Sequence, residues 1–116
     1  MGNNGIDLSV FNGLKEMMGD DFIGELVDTY LQDSPELFQQ MHQALESNDA
    51  DTFRRAAHSL KSNSANFGAM QLSAMARELE FMGRENRLDQ AGETLALAEA
   101  EYSQVANTLE ALKDGA

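Results

Sequence analysis

Apolar residues recur along the chain at intervals of three and four, and they nowhere alternate with a period of two for long. That spacing predicts helices and no strands. Capping and turn-forming residues divide it into about five helices. The first is short, near Ser9–Met18, between the polar Asn3-Asn4-Gly5 start and Gly19. The second runs from Asp20 to about Ser47, with Phe22, Leu26, Tyr30, Leu37, Met41 and Leu45 near helical spacing. Pro35 lies inside it, where a proline either opens a fresh helix after Ser34 or kinks a longer one. One kinked helix is the preferred reading. The third helix follows the capping pair Asn48-Asp49 and ends at Gly68, a residue suited to a left-handed C-terminal turn. The fourth covers Ala69–Glu85. The fifth covers Asp89–Lys113, seamed by Leu95, Ala98, Tyr102, Val105, Leu109 and Leu112. Amphipathic helices joined by short connections predict an all-α fold: an antiparallel up-and-down four-helix bundle with a short extra N-terminal helix.

The wheel of the third helix separates two faces. Phe53, Ala56, Ala57, Leu60, Ser64 and Phe67 form the core stripe, and His58 points about 140° away from Phe53. Near His58 in angle are Arg54, one turn earlier, and Lys61, Ser62 and Ala65, one to two turns later. The histidine therefore faces outward among cations, with small neighbours that leave room for a bulky partner. Asn63 edges the core stripe, where it is placed to bond across to a neighbouring helix. The fourth helix carries its core stripe on Leu72, Met75, Ala76 and Leu79, and a second stripe of Met70, Ala74 and Phe81 about 180° from Leu72. That second stripe is expected to pack under the N-terminal helix against Val10, Phe11 and Leu14. The other reading is an exposed docking patch.

Composition narrows the class. In 116 residues there is no Cys, no Trp and one Pro, and the net charge is −12. One domain over residues 1–116 is expected, with a polar lead at 1–7 and a tail at 113–116. Disulfides, thiolate metal sites and cysteine nucleophiles are excluded. No apolar run approaches the ~20 residues of a membrane span, so no membrane insertion is expected. The N-terminus lacks the pattern of a signal peptide, and Ile6 stands where a myristoylation signal needs Ser or Thr. The acidity argues against nucleic acid as a partner. Seven methionines read as core fillers.

The charge is uneven. Residues 1–51 balance at −10 and residues 89–116 at −5, whereas residues 52–88 balance at +3 and hold six of the eight bases. A basic island on an acidic chain suits a small anion. His58 lies within it; His42, in Gln39-Gln40-Met41-His42-Gln43, has no cation nearby and is assigned no role. The two histidines lack metal-ligand spacing, and cations beside His58 would repel a metal, so no metal site is expected. There is no Gly-x-Ser-x-Gly for a hydrolase and no glycine-rich loop for a nucleotide. What remains is a histidine able to act as a nucleophile, with Lys61 near enough to compensate a phosphoryl dianion.

His58-Ser59-Leu60-Lys61-Ser62-Asn63-Ser64-Ala65-Asn66-Phe67-Gly68-Ala69 resembles the signature of histidine phosphotransfer (HPt) domains, His-x-Leu-Lys-Gly-Ser-Ser/Ala-x-x-Leu-Gly. Arg54-Arg55-Ala56-Ala57, Leu79-Glu80 and Leu31-Gln32-Asp33-Ser34-Pro35 fit the same family, and the resemblance spans about residues 8–112. It implies that His58 accepts a phosphoryl group and that Lys61 steadies it, with Arg54 and Ser62 beside the site. Gly68 would let the third helix end and turn closely. Glu80 stands where such domains often hydrogen-bond the imidazole, which would leave Nε2 as the nucleophile. The family's Gly after the Lys is Ser62 here and the next position is Asn63, departures that bear on docking geometry. The implied function is a cytoplasmic phosphorelay intermediate, not an enzyme, that takes phosphate from one receiver domain and passes it to another. Its implied partners are response-regulator receivers and a hybrid sensor histidine kinase. It would need no cofactor of its own, Mg²⁺ being expected on the receiver only. A helical adaptor without chemistry, and the phospho-accepting module of a chemotaxis-type histidine kinase, are the alternatives.

Overall fold

The computed structural model describes residues 5–113. It contains α1 (Leu8–Met18), α2 (Asp20–Ser47), α3 (Ala50–Asn66), α4 (Met70–Arg84), a 3₁₀ turn (Leu88–Gln90) and α5 (Ala91–Lys113). Among the described residues there is no strand. Helix α2 packs on α3, α3 on α4, α4 on α5, and α5 closes back on α2, so four consecutive helices enclose one core. The long axis, 41 Å, matches the rise of the 28 residues of α2 at about 1.5 Å each. This is the four-helix bundle expected, with α1 as the extra helix lying on α2 and α3.

Local chemistry sets the boundaries. Asp7 caps α1 by accepting from the Ser9 backbone N–H at 3.0 Å, which starts the helix at Leu8. Asp49 caps α3 by accepting from Thr52 N–H at 3.1 Å. At the far end of α3 the Ala69 N–H bonds the Ser64 carbonyl at 3.0 Å and the Gly68 N–H the Ala65 carbonyl at 3.0 Å. That pair of bonds is a Schellman turn, and Gly68 takes its left-handed position at φ 87°. Asn48 and Asn86 do the same for α2 and α4. The last helix starts two residues later than its sequence suggests: Leu88 is buried and draws the chain into the 3₁₀ turn, which the Arg87–Gln90 side-chain bond of 2.8 Å closes.

Helix α2 continues through Pro35, so Ser34-Pro35 does not start a new helix. Its buried stripe is Ile23, Val27, Tyr30, Ser34, Phe38, Met41 and Ala44. Phe22, at helical spacing with Leu26 and Tyr30 in the sequence, is exposed, and its neighbour Ile23 takes the inward position. Tyr30 anchors α2 to α3 through a 2.8 Å hydroxyl bond with Ser64 and a ring contact of 5.1 Å with Phe67. Burial pushes the Tyr30 phenol up to about 12.

Three further expectations change. Ile6, inside the stretch taken as a polar lead, is buried; residues 1–4 and 114–116 lie outside the described residues. Of the described methionines only Met41 is fully buried, Met75 and Met82 are half-buried, and Met17, Met18 and Met70 sit exposed near helix ends. The Met70–Phe81 stripe does not pack under α1, whose Phe11 enters the core between α2 and α3.

Candidate functional site

Helices α3 and α4 approach closely because Gly83 has no side chain. A Cβ there would stand 3.0 Å from the Arg54 backbone. The Ser73 hydroxyl adds a tie, donating to the Lys61 carbonyl at 2.9 Å. This contact carries Glu80, on α4, to the outward face of α3.

Glu80 is the centre of the site. Its Oε2 lies 2.8 Å from His58 Nδ1 and its Oε1 2.8 Å from Lys61 Nζ. Arg84, one turn further along α4, reaches Oε2 more loosely at 3.4 Å. The carboxylate side chain is 6% exposed, Lys61 29% and His58 56%. A buried carboxylate thus holds an imidazole whose other edge faces solvent. Burial alone would raise the Glu80 pKa, but the hydrogen bonds from Lys61 and His58 outweigh it and hold the carboxyl below its ordinary value. Glu80 is therefore ionised at neutral pH and accepts only. An ionised acceptor at Nδ1 favours the tautomer with the proton on Nδ1, leaving the Nε2 lone pair free and pointing outward.

The other residues singled out in the sequence fall in three places. Ser62 is exposed one turn beyond His58 and leaves the surface low there. Arg54 shares the angle of His58 on the wheel but turns back to Asp51 at 2.9 Å, away from Glu80. Gly68 lies at the end of α3, not beside the imidazole. Its carbonyl accepts from the Asp7 N–H at 2.8 Å, and a Cβ would meet the Asp7 carbonyl at 2.7 Å. Asn63 lines a groove of 390 Å³ with Thr29, Asp33 and Phe67, and its side chain bonds no neighbour among the described residues. Arg84 was not singled out, although its spacing of four from Glu80 is the signal that finds it. His42 bonds Glu99 through Nε2 at 2.9 Å, so its arrangement is the reverse of that at His58.

Comparison with known proteins gives a consistent picture. The sequence pattern of the Hpt domain matches residues 25–115. The chain is similar to histidine-containing phosphotransfer protein B (HptB) from Pseudomonas aeruginosa PAO1, whose crystal structure it matches with a TM-score of 0.90 at 32% identity. That match covers 97% of this chain and 96% of the other. No curated protein matches the chain.

Proposed function

The chain belongs to the Hpt domain family, with a role in histidine phosphotransfer within two-component signalling, and from that premise we propose that His58 is the residue that carries the phosphoryl group. The observation that supports this most directly is the pairing of a solvent-facing imidazole with a buried carboxylate at Nδ1, 2.8 Å away.

The step is an in-line transfer. The Nε2 lone pair attacks the phosphorus of a receiver's aspartyl phosphate; the N–P bond forms, the acyl O–P bond breaks, and the receiver keeps its carboxylate. As the N–P bond forms the ring gains positive charge, and the Glu80 carboxylate faces that charge across the Nδ1–H bond. Lys61 and Arg84 lie on the same carboxylate and supply positive potential beside the arriving dianion. Passing the group on reverses the geometry, with a second receiver's carboxylate attacking the phosphorus and Nε2 leaving. Mg²⁺ and most of the transition-state charge stabilisation belong to the receiver in this reading, while this chain contributes a positioned nucleophile. Ser62 in place of the family's Gly adds only a hydroxymethyl group, and the exposed position keeps the approach open.

The test is phosphoryl transfer from receivers charged with acetyl phosphate, without ATP. Wild type accepts an acid-labile label, and His58→Gln accepts none while its helicity and melting temperature stay near wild type. Label retained on the variant would remove His58 from the role, and label found on His42 would move the role there. A requirement for a kinase's ATP domain would favour the chemotaxis-type module instead.

A further inference from the structure

Gly13, Gly24, Gly83 and Gly92 lie inside helices α1, α2, α4 and α5. A glycine inside a helix costs stability relative to alanine, so each calls for a reason. A Cβ at Gly13 or Gly92 would meet nothing within 4 Å, and one at Gly24 would touch only Lys113 Cγ, at 3.7 Å. Gly83 differs. Positive φ occurs at Gly5, Gly19 and Gly68 but not here, so no turn requires the glycine. A Cβ at Gly83 would nevertheless stand 3.0 Å from each of three atoms of Arg54: N, Cα and Cβ. Two of these are main chain, which no rotamer change can move. The backbones of α3 and α4 touch at this point.

That contact belongs to a seam. At about 100° per residue, Ser73, Ala76, Glu80 and Gly83 share the side of α4 that faces α3. Glu80 is the one long side chain among small ones, and Ala76 is fully buried. The seam is held at both ends: Gly83 meets Arg54, and the Ser73 hydroxyl donates to the Lys61 carbonyl at 2.9 Å. His58 lies between Arg54 and Lys61 on α3, and Glu80 lies between Ser73 and Gly83 on α4, so the two fixed points bracket the pair. Both short bonds of Glu80, to His58 Nδ1 and Lys61 Nζ at 2.8 Å each, cross from α4 to α3. Its looser bond to Arg84, at 3.4 Å, stays within α4 and shares Oε2 with the imidazole. Separating the helices therefore stretches the first two bonds and spares the third.

We propose that Gly83 is a positioning residue for phosphotransfer: by letting α3 and α4 meet at backbone distance, it sets the reach at which Glu80 holds His58 Nδ1. The proposal rests on the phosphotransfer reading above. Carbon atoms rest at about 3.5–4.0 Å from one another, so a Cβ at 3.0 Å would wedge the helices apart by about 0.5 Å. Ser73 pins the far end, and α4 pivots there. Glu80 stands seven residues from that pin and Gly83 ten, so Glu80 moves by about seven-tenths of the wedge, or about 0.35 Å. Its 2.8 Å bond to Nδ1 then lengthens to about 3.2 Å, the long end of the range for N–H···O bonds. Oε2 passes toward Arg84, and the ring loses the acceptor that keeps its proton on Nδ1. More of the molecules then carry that proton on Nε2, where it blocks the attack.

The experiment compares alanine substitutions in the full chain, with transfer measured from a receiver charged with acetyl phosphate. Gly92→Ala, where the new methyl meets nothing, is expected to hold or raise the melting temperature and to leave transfer unchanged. Gly83→Ala is expected to slow transfer about threefold or more, the size of a charge-assisted bond weakened but not lost. Its imidazole nitrogen shifts are expected to show less proton on Nδ1. A second measurement places Gly83→Ala on a Glu80→Gln background. A glutamine turns its oxygen to Lys61 and its NH₂ group to Nδ1, which holds the ring in the unproductive tautomer. The wedge weakens that bond, so here it is expected to leave the rate unchanged or to raise it. Equal slowing in both backgrounds is the mark of lost structure and overturns the proposal. A Gly83→Ala chain with the wild-type rate and nitrogen shifts overturns it as well. If Gly83→Ala melts below the assay temperature, Glu80→Asp opens the same gap without a wedge by drawing the carboxylate back one methylene, and an unchanged tautomer there overturns the proposal. The nitrogen shifts need no receiver, so failure of the phosphotransfer reading shows separately, as a wild-type chain that takes no label.

Discussion

Replacing Glu80 by Gln keeps the size of the side chain and removes its charge, and the geometry of the site sets the consequence. In the wild type both oxygens accept, one from His58 Nδ1 and one from Lys61 Nζ, each at 2.8 Å. A glutamine has one oxygen and one NH₂ group to offer the same two partners. An ammonium group cannot accept, so the amide oxygen turns to Lys61 and the NH₂ faces His58. The ring must then accept at Nδ1, which places its proton on Nε2, the atom that attacks in the proposed transfer. The neutral bond from the amide to Nδ1 stabilises that tautomer by about 0.5–1.5 kcal/mol, and at about 1.4 kcal/mol per factor of ten this depletes the productive tautomer about 2- to 10-fold. The acceptance rate from a charged receiver falls by the same factor. The fold suffers less. The His58 bond becomes neutral and the Lys61 ion pair becomes an ammonium–amide bond, and both partners keep access to water, so the cost is about 1–2 kcal/mol. For a domain of this size that lowers Tm by about 4–8 °C.

Two readouts separate this reasoning from simple loss of structure. Nitrogen chemical shifts of the imidazole report the tautomer directly, and they should exchange between Nδ1 and Nε2 in the variant. The pH dependence supplies the second. The Glu80 pKa is lowered in the folded chain from an ordinary value of 4.5. Its stabilising contribution is therefore full above that value and is lost as the pH falls through the folded pKa. The stability gap between wild type and Glu80→Gln should narrow in acid and persist at neutral pH. A variant that transfers at the wild-type rate with an unchanged tautomer would refute the positioning role of Glu80.

Lys61→Ala removes one of three cationic or imidazole partners of Glu80 and leaves Arg84 in place; phosphohistidine lifetime should shorten several-fold without vanishing, and an unchanged lifetime would make Lys61 a helix-surface residue only. Ser62→Arg should block transfer by bulk although it adds favourable charge, whereas Ser62→Gly should transfer as well as wild type or better; an arginine variant that accepts phosphate normally would show that the low surface beside His58 is irrelevant. Gly68→Ala forces a left-handed backbone on an L side chain and drives its Cβ against the Asp7 carbonyl. Thermal unfolding should show a loss of at least about 1–2 kcal/mol, with residual transfer at temperatures where the variant is folded.

What the sequence made legible depends on how many solutions each segment allowed. In α3 the stripe Phe53, Ala56, Ala57, Leu60, Ser64 and Phe67 is bounded by polar residues on both sides, so its phase has one solution, and all six are buried. In α2 apolar residues occupy both Phe22 and Ile23, and Leu26 and Val27, so two neighbouring phases compete. Only packing against α3 and α5 selects Ile23 and Val27. The outward direction of His58 came from the same wheel, because a β-carbon direction is fixed by backbone geometry. Where a long side chain ends is not. Arg54 shares the angle of His58, yet Asp51 one turn earlier offers a local carboxylate and takes it. The exposed face of α4 was ambiguous for a related reason. The wheel finds a second apolar stripe, but whether α1 covers it depends on the direction in which Gly19 sends the chain.

The basic island shows how far a count of charges can go and where it stops. Six bases between residues 52 and 88 read as one positive feature. In the folded chain they divide into three groups with different chemistry. Arg54 and Arg55 both turn to Asp51, each at 2.9 Å, so a single carboxylate offsets about half of their charge near the start of α3. Lys61 and Arg84 converge on Glu80, and the bonds from Lys61 and His58 keep that buried carboxylate ionised so that it can hold the imidazole. Arg77 and Arg87 are left without ion pairs among the described residues, and so present their charge to whatever approaches. Of these, the second group sets the surroundings of the His58 imidazole and the third sets the field outside it. Arg77, Glu80 and Arg84 share one face of α4 and Arg87 sits on the turn after it, so the unpaired cations and the carboxylate that holds the imidazole lie side by side.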